Sequence, residues 1–208
     1  MNDVLEQFGE IDIYVFDQLL RGRIAPGMRI IDAGCGGGRN LLYMLSQGYD
    51  VAGCDRDHKA VEAVRAMASR LAPHLPDGNF RVEPIEAMSF PDACADVVLA
   101  SAVLHFASDD EHFQAMVGEL WRVLKPGGTL FARLASSIGI ENRVLRVHGR
   151  QHRLPDGSER YLVDERCLLD LTAVLGGELL DPIKTTIVQD QRAMTTWVVR
   201  KLLIADLD

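Results

Sequence analysis

No apolar run in the sequence approaches the roughly 20 residues that a bilayer-spanning helix needs, so no membrane association is expected. The N-terminal stretch lacks both the basic start and the unbroken apolar segment of a secretion signal, because Asp3, Glu6, Glu10, Asp12 and Asp17 punctuate it. Positive charge is in deficit: 22 Lys and Arg face 30 Asp and Glu, for a net charge of −8. A surface of that balance repels phosphate backbones, and no nucleic-acid partner is expected. Cysteine is scarce. Cys35, Cys54, Cys94 and Cys167 form neither a C-x-x-C pair nor the dense framework of a small secreted scaffold, and read as reduced thiols of a cytoplasmic protein. Metal-ligand spacing is lacking too. His148 and His152 stand at i and i+4, but Gly149 lies between them and no H-E-x-x-H surrounds them, so no metal is expected.

What is present is a chain of 208 residues, 48% apolar, with enough material for one core. A single domain over 1–208 is expected, with a helical cap at 1–28 that carries Tyr14 and Phe16. From Arg29 onward, short β-branched runs alternate with segments of helical period, the pattern of a parallel sheet with crossover helices. Strands are predicted at Arg29–Ala33, Asp50–Cys54, Phe80–Glu83, Asp96–Ser101 and Thr129–Leu134. Helices are predicted at Arg39–Gln47, Asp57 to about Leu71, and about Asp109 to Leu124, the last stopped by Leu124-Lys125-Pro126-Gly127-Gly128. Residues 136–161 break the rhythm with Gly139, Gly149, Pro155 and Gly157, and read as an irregular substrate-side insertion with one short helix. Asp164 then caps a helix through Leu175, and two runs, Glu178–Val188 and Ala193–Arg200, follow without a helix between them. The expected fold is α/β: one doubly wound, mostly parallel seven-stranded sheet with an antiparallel last strand and helices on both faces.

The strongest local signal is Ile30-Ile31-Asp32-Ala33-Gly34-Cys35-Gly36-Gly37-Gly38-Arg39-Asn40, an apolar strand running through glycines into a helix. Glycine there lets the backbone turn tightly and lets a ligand approach without a Cβ in the way. Asp55 closes the next strand about 20 residues on, the offset at which a carboxylate reaches ribose hydroxyls. An adenosine-type ligand follows. In the dinucleotide fingerprint G-x-G-x-x-G the sixth position is glycine, and here it is Arg39. A pyrophosphate wants bare helix N–H groups, whereas a ligand with a sulfonium and an ammonium suits the acid Asp32 just before the loop.

The string Asp32 to Asn40, the acid Asp55, the run Asp96-Val97-Val98-Leu99-Ala100-Ser101-Ala102-Val103-Leu104-His105-Phe106 and the turn Leu124–Gly128 resemble, in order, the class I S-adenosylmethionine-dependent methyltransferases. Within that class, Gly38-Arg39-Asn40, Leu42-Tyr43 and Gly48-Tyr49-Asp50-Val51 resemble the small tellurite-resistance methyltransferases. The resemblance implies S-adenosylmethionine as cofactor and S-adenosylhomocysteine as product, with Gly34, Gly36 and Gly38 under the methionine moiety, Asp32 near its amino group and Asp55 on the ribose. Arg56 and Ser101 complete that expected set. The family places an acid after the third strand for the adenine amine, and the aligned residue here is Pro84, with neither acceptor side chain nor N–H. Ile85 N–H and the Glu86 carboxylate are the expected substitutes.

Methyl transfer is an in-line displacement that alignment and desolvation can accelerate without a catalytic side chain. The catalytic residue is therefore unassigned, with His105 and Arg192 as the only candidates. Arg192 comes from the resemblance, as the basic residue on the last hairpin. The acceptor is expected to be a small molecule, with Tyr14, His105, Arg143, Arg146 and Arg192 as candidate contacts. His105 reads equally as a hydrogen-bonded structural residue, and Tyr14 and Phe16 read as core or as lid. Arg143, Arg146, Arg150 and Arg153 either gather an anionic acceptor or pair with the protein's own acids. Two other functions stand beside the methyltransferase: a module that binds S-adenosylmethionine without turnover, and a nicotinamide oxidoreductase, against which Arg39 argues. Monomer and homodimer are both compatible with the sequence.

Overall fold

A computed structural model describes residues 3–203. Residues 1–2 and 204–208 of the expected single domain lie outside the described residues. The N-terminal cap consists of α1 (Asp3–Phe8) and α2 (Ile13–Leu20), the latter capped by Asp12, whose side chain accepts from Tyr14 N–H. The αβ alternation follows as β1 (Arg29–Ala33), α3 (Leu42–Ser46), β2 (Asp50–Asp55), α4 (His58–Leu71), β3 (Phe80–Val82), β4 (Ala95–Ser101), α5 (Asp110–Val123) and β5 (Leu124–Ser136). The chain then forms β6 (Leu145–His148), β7 (Gln151–Arg153), β8 (Glu159–Tyr161), α6 (Glu165–Val174), β9 (Gly177–Leu179), β10 (Lys184–Val188) and β11 (Arg192–Lys201).

Strand order in the main sheet is β10-β11-β5-β4-β1-β2-β3, with β9 added to β11 as an eighth strand. The pairs among β1 to β5 are parallel, while β11 runs antiparallel to β5, β9 and β10. Both faces of the central parallel strands are covered by helices, so successive residues in their middle stretches are apolar even though they point to opposite faces, while the charged residues stand near the strand ends. Ile31, Val98, Ala132 and Trp197 pack with α5 and α6, and Ile30, Leu99, Phe131 and Val198 pack with α2, α3 and α4. Because β1 continues to β2 on one side and neighbours β4 on the other, a crevice opens at the carboxyl ends of β1 and β4, where ligands of open α/β sheets bind.

Three expectations need correction. The helix predicted to start at Arg39 starts at Leu42, since residues 39–41 are still turning, with Leu41 N–H donating to Gly38 O at 2.9 Å. The run Glu178–Val188 is split into β9 and β10, and Pro182, with no N–H to give, stands in the gap. Residues 136–161 hold no helix. Instead β6, β7 and β8 form a separate antiparallel sheet. The breakers there are hairpin turns: Gly149 (φ 49°) joins β6 to β7, and Gly157 (φ 81°) sits in the β7–β8 turn, closed by Leu154 N–H to Ser158 O at 2.8 Å.

Candidate functional site

The loop after β1 is shaped by backbone that only glycine tolerates. Gly34 has φ 77°, and a Cβ there would lie 2.6 Å from Val103 Cγ2. Gly38 has φ 85°, and its Cβ would lie 2.8 Å from Val64 Cγ2. At Gly36 a Cβ would project into open space, so this residue leaves the crevice clear. The Asp55 carboxylate at the end of β2 accepts from Gly36 N–H and Asp57 N–H, both at 2.9 Å, and so ties the glycine loop to the start of α4.

Asp32, the last but one residue of β1, is 1% exposed, and neither of its carboxylate oxygens has a hydrogen-bond partner among the described residues. Burial pushes its pKa up to about 7, Arg39 opposes the rise and Asp55 adds to it. An unpaired buried carboxylate is costly, and the group that would satisfy it is a cation with several N–H donors. The ammonium of an amino-acid moiety above the glycines fits that demand.

Beside it, a cavity of about 240 Å³ is lined by Gly34, Asp55, Arg56, Pro84, Ile85, Glu86 and Val103, among others. Pro84 begins the single turn Ile85–Ala87. Glu86 faces His112, with Oε2 3.4 Å from Nε2, and His112 lines the same cavity. Ala102, at the end of β4, also lines it and holds φ 62°, a strained value for a residue with a Cβ. Neither His112 nor Ala102 was expected. His112 lies within the helical period of α5, so only its proximity to Glu86 marks it.

On the other side of Asp32 a charged cluster joins the cap to the sheet. Asp12, 5% exposed, accepts from Arg133 Nη1 at 3.0 Å and from Ser101 Oγ at 3.2 Å, and its Oδ2 is 3.6 Å from Arg39 Nη2. Asp12 N–H donates to Asn40 Oδ1 at 3.0 Å. Ser101 thus lies between the glycine loop and the cap, with Arg39 Nη2 3.5 Å from its hydroxyl. The Tyr14 hydroxyl bonds Thr186 Oγ1 at 2.5 Å, and the Arg133 guanidinium lies 5.4 Å from the Tyr14 ring centre. Arg133 was missed, although an arginine inside the apolar run Thr129-Leu130-Phe131-Ala132-Arg133-Leu134 is a readable anomaly.

His105 is 7% exposed, and its Nδ1 accepts from Ala135 N–H at 3.2 Å, which leaves hydrogen on Nε2. Burial lowers its pKa to about 4, with the charges of Arg160, Arg192 and Arg133 adding to the effect. The remaining arginines are spent elsewhere. Arg143 pairs with Asp190 at 3.7 Å where both are largely exposed, Arg146 donates to Gly149 O at 2.8 Å, Arg150 and Arg153 pair with Asp164 and Glu159, and Arg192 pairs with Asp156. The structure does not bring Arg143 and Arg146 to the crevice.

Residues 31–132, just under half of the chain, match the family model described as a methyltransferase domain. Among curated proteins, a ubiquinone biosynthesis O-methyltransferase of Methylocella silvestris is 35% identical over 118 residues, covering 55% of this chain and 44% of the relative. The chain spans about half the length of the curated relatives it matches. A solved S-adenosylmethionine-dependent methyltransferase from Methanosarcina mazei superposes with a TM-score of 0.72 at 23% identity, covering 89% of this chain and 97% of that one. The 1,6-didemethyltoxoflavin-N1-methyltransferase of Burkholderia thailandensis, solved with S-adenosylhomocysteine, gives 0.71 at 18% identity, covering 97% and 82%. Identities this low speak for the fold.

Proposed function

We propose that this chain, whose residues 31–132 match the model of a methyltransferase domain, moves a methyl group from S-adenosylmethionine to a small-molecule acceptor. The observation that carries the reading is the buried, unpartnered Asp32 carboxylate beneath a glycine loop, a demand for a cation that donates N–H bonds, which the amino-acid ammonium of S-adenosylmethionine supplies and the pyridinium of a nicotinamide cofactor, without an N–H, does not. Asp32 would hold the ammonium, Asp55 the ribose hydroxyls, and Arg56, Ile85 and Glu86 the wall of the adenine end. Bound there, the cofactor supplies a methyl group activated by positive sulfur. An acceptor nucleophile held in line with that methyl group would take it, with the thioether as the leaving group.

The side chains of this site bind and align rather than move protons. His105 has its Nδ1 lone pair taken by a backbone amide and stays neutral near pH 7, so its role in this reading is to hold the end of β5. The thiols of Cys35 and Cys54 are pushed up by burial, the second to about 12, and are poor nucleophiles. Rate then comes from holding acceptor and methyl carbon in line within a site that the cap closes. The finer tellurite-resistance reading would place Arg192 at the acceptor, where Asp156 already engages it. Free cysteines fit a reducing, cytoplasmic setting.

The test is incubation with methyl-labelled S-adenosylmethionine and a metabolite extract, with Asp55→Ala as the site control. Label appearing in a small organic product together with S-adenosylhomocysteine, and lost in the variant, supports the reading. Cofactor binding without label transfer across extracts points to a binding module, and NADH binding in place of S-adenosylhomocysteine points to an oxidoreductase.

A further inference from the structure

We propose that Arg133 is the residue that selects the methyl acceptor, by gripping a carboxylate or similar planar oxyanion on it through the Nε–Nη2 edge of its guanidinium. The inference rests on the methyltransferase reading and adds the chemical class of the acceptor to it.

Place comes first. Arg133 lies at the carboxyl end of β5, in register with Ser101 of β4 on one side and Thr196 of β11 on the other. Residues in register on neighbouring strands share a face, so Ser101, Arg133 and Thr196 form one row beneath the cap. Arg39 joins that row to Asp32, because its Nη2 lies near both Ser101 and Asp12, and its charge acts on Asp32. The row therefore leads from the expected ammonium position, along the strand ends, to Arg133.

Unspent hydrogen-bonding capacity comes second. A guanidinium offers five N–H donors, and among the described residues only Nη1 of Arg133 has an acceptor, Asp12. Nε is buried with no partner, and Nη2 has none among the described residues. Nη2 is not one of the buried unpaired atoms, so it is the solvent-reached nitrogen of the pair, and together with Nε it makes up one side of the planar fork that matches a carboxylate. Thr196 Oγ1, buried beside it on the same face, is also without a partner. Asp12 is shared, since it serves Arg133, Arg39, Ser101 and Tyr14 N–H at once, and Arg39 also faces Asp32. Behind the burial of His105, the charges of Arg160, Arg192 and Arg133 are felt at its imidazole. An arginine whose side chain is only 22% exposed is expensive to keep half-satisfied, and an anionic acceptor would complete it.

A purely structural arginine, present only to tie the cap to β5, predicts no preference for anions. Protein loaded with S-adenosylhomocysteine is titrated with benzoate and with its neutral counterpart benzamide, in wild type and in the R133Q, R133K and T196V variants. The proposal expects benzoate to bind wild type and benzamide to bind far more weakly. It expects R133Q to lose roughly tenfold to hundredfold in benzoate affinity while S-adenosylhomocysteine affinity is kept. R133K keeps the charge without the fork and should fall between, and T196V should weaken benzoate less than R133Q. If R133Q does not fold, the same decline in R133K decides the matter. Benzoate that fails to bind wild type, binds no better than benzamide, or binds unchanged in R133Q and R133K overturns the proposal. Failure of the loading step itself, seen before benzoate is added, overturns the methyltransferase reading on which it stands.

Discussion

At Asp32 a single buried carboxylate underlies both the proposed ligand preference and a pH dependence of stability. Its pKa is raised from the ordinary value of 3.8 to about 7 in the folded chain. Between those values the folded state holds a proton that the unfolded state has released, so stability falls as pH rises from about 4 to about 7. The penalty above pH 7 is on the order of 4 kcal/mol. Asp32→Asn removes the penalty, so the ligand-free variant should melt higher than wild type at pH 8 and about equally at pH 4. Thermal denaturation across that range checks it. His105 has the opposite sign. Its pKa is lowered to about 4, so the unfolded state binds the proton first and stability falls as pH drops from about 6.5 towards 4. Methyl transfer should accordingly show no limb near pH 6.5 from this imidazole, and a rate limb there that disappears in His105→Asn would contradict its structural role.

Among the elements, the glycine loop was legible in the sequence because its constraints are local. A turn whose φ values are positive at Gly34, Gly36 and Gly38 needs those residues in that order. Gly34→Ala should both strain the backbone and collide with Val103, and is expected to abolish S-adenosylhomocysteine binding in a titration. The β6–β8 sheet was not legible. Its strands are three or four residues long and half-exposed, so no apolar alternation distinguishes them from loop, and its glycines serve equally as breakers or as hairpin turns. The cap was legible as helix but not as a latch. Asp12 reads as one acid among several, and only the fold brings Ser101, Arg133 and Asn40 to it across long stretches of chain. Asp12→Ala should cost about 1 to 3 kcal/mol, from the lost helix cap and the arginine left without its acid. Hydrogen exchange should show residues 13–20 opening faster while β1 and β4 stay protected.

For the molecule as a whole, the strand order follows from βα alternation and the placing of a crevice where that order reverses, which is why the sequence carried the architecture and the place of the glycine loop at that crevice. The acceptor side depends on side chains that meet only in three dimensions. Arg143 and Arg146 looked basic together in sequence yet lie on the outer surface, whereas Arg133, isolated in sequence, sits at the strand ends beside Asp12. Charge clustering along a chain reports solvent-facing strands as readily as a site. Trp197 is fully buried under α6 and bonds Thr172 at 2.9 Å, whereas Ile187 and Val188 on β10 are exposed apolar residues of that edge.

Asp32, buried and without a partner among the described residues, is the proposed receptor of a cationic amino-acid moiety. The most direct test is calorimetric binding of S-adenosylhomocysteine to wild type and Asp32→Asn at pH 6 and at pH 8. Wild type should bind about tenfold more tightly at pH 8, because at pH 6 a proton must leave Asp32 first, and the variant should bind weakly with no such dependence. Equal affinity in wild type and variant at both values would mean that the carboxylate does not receive the ligand, and the account of the site would be wrong.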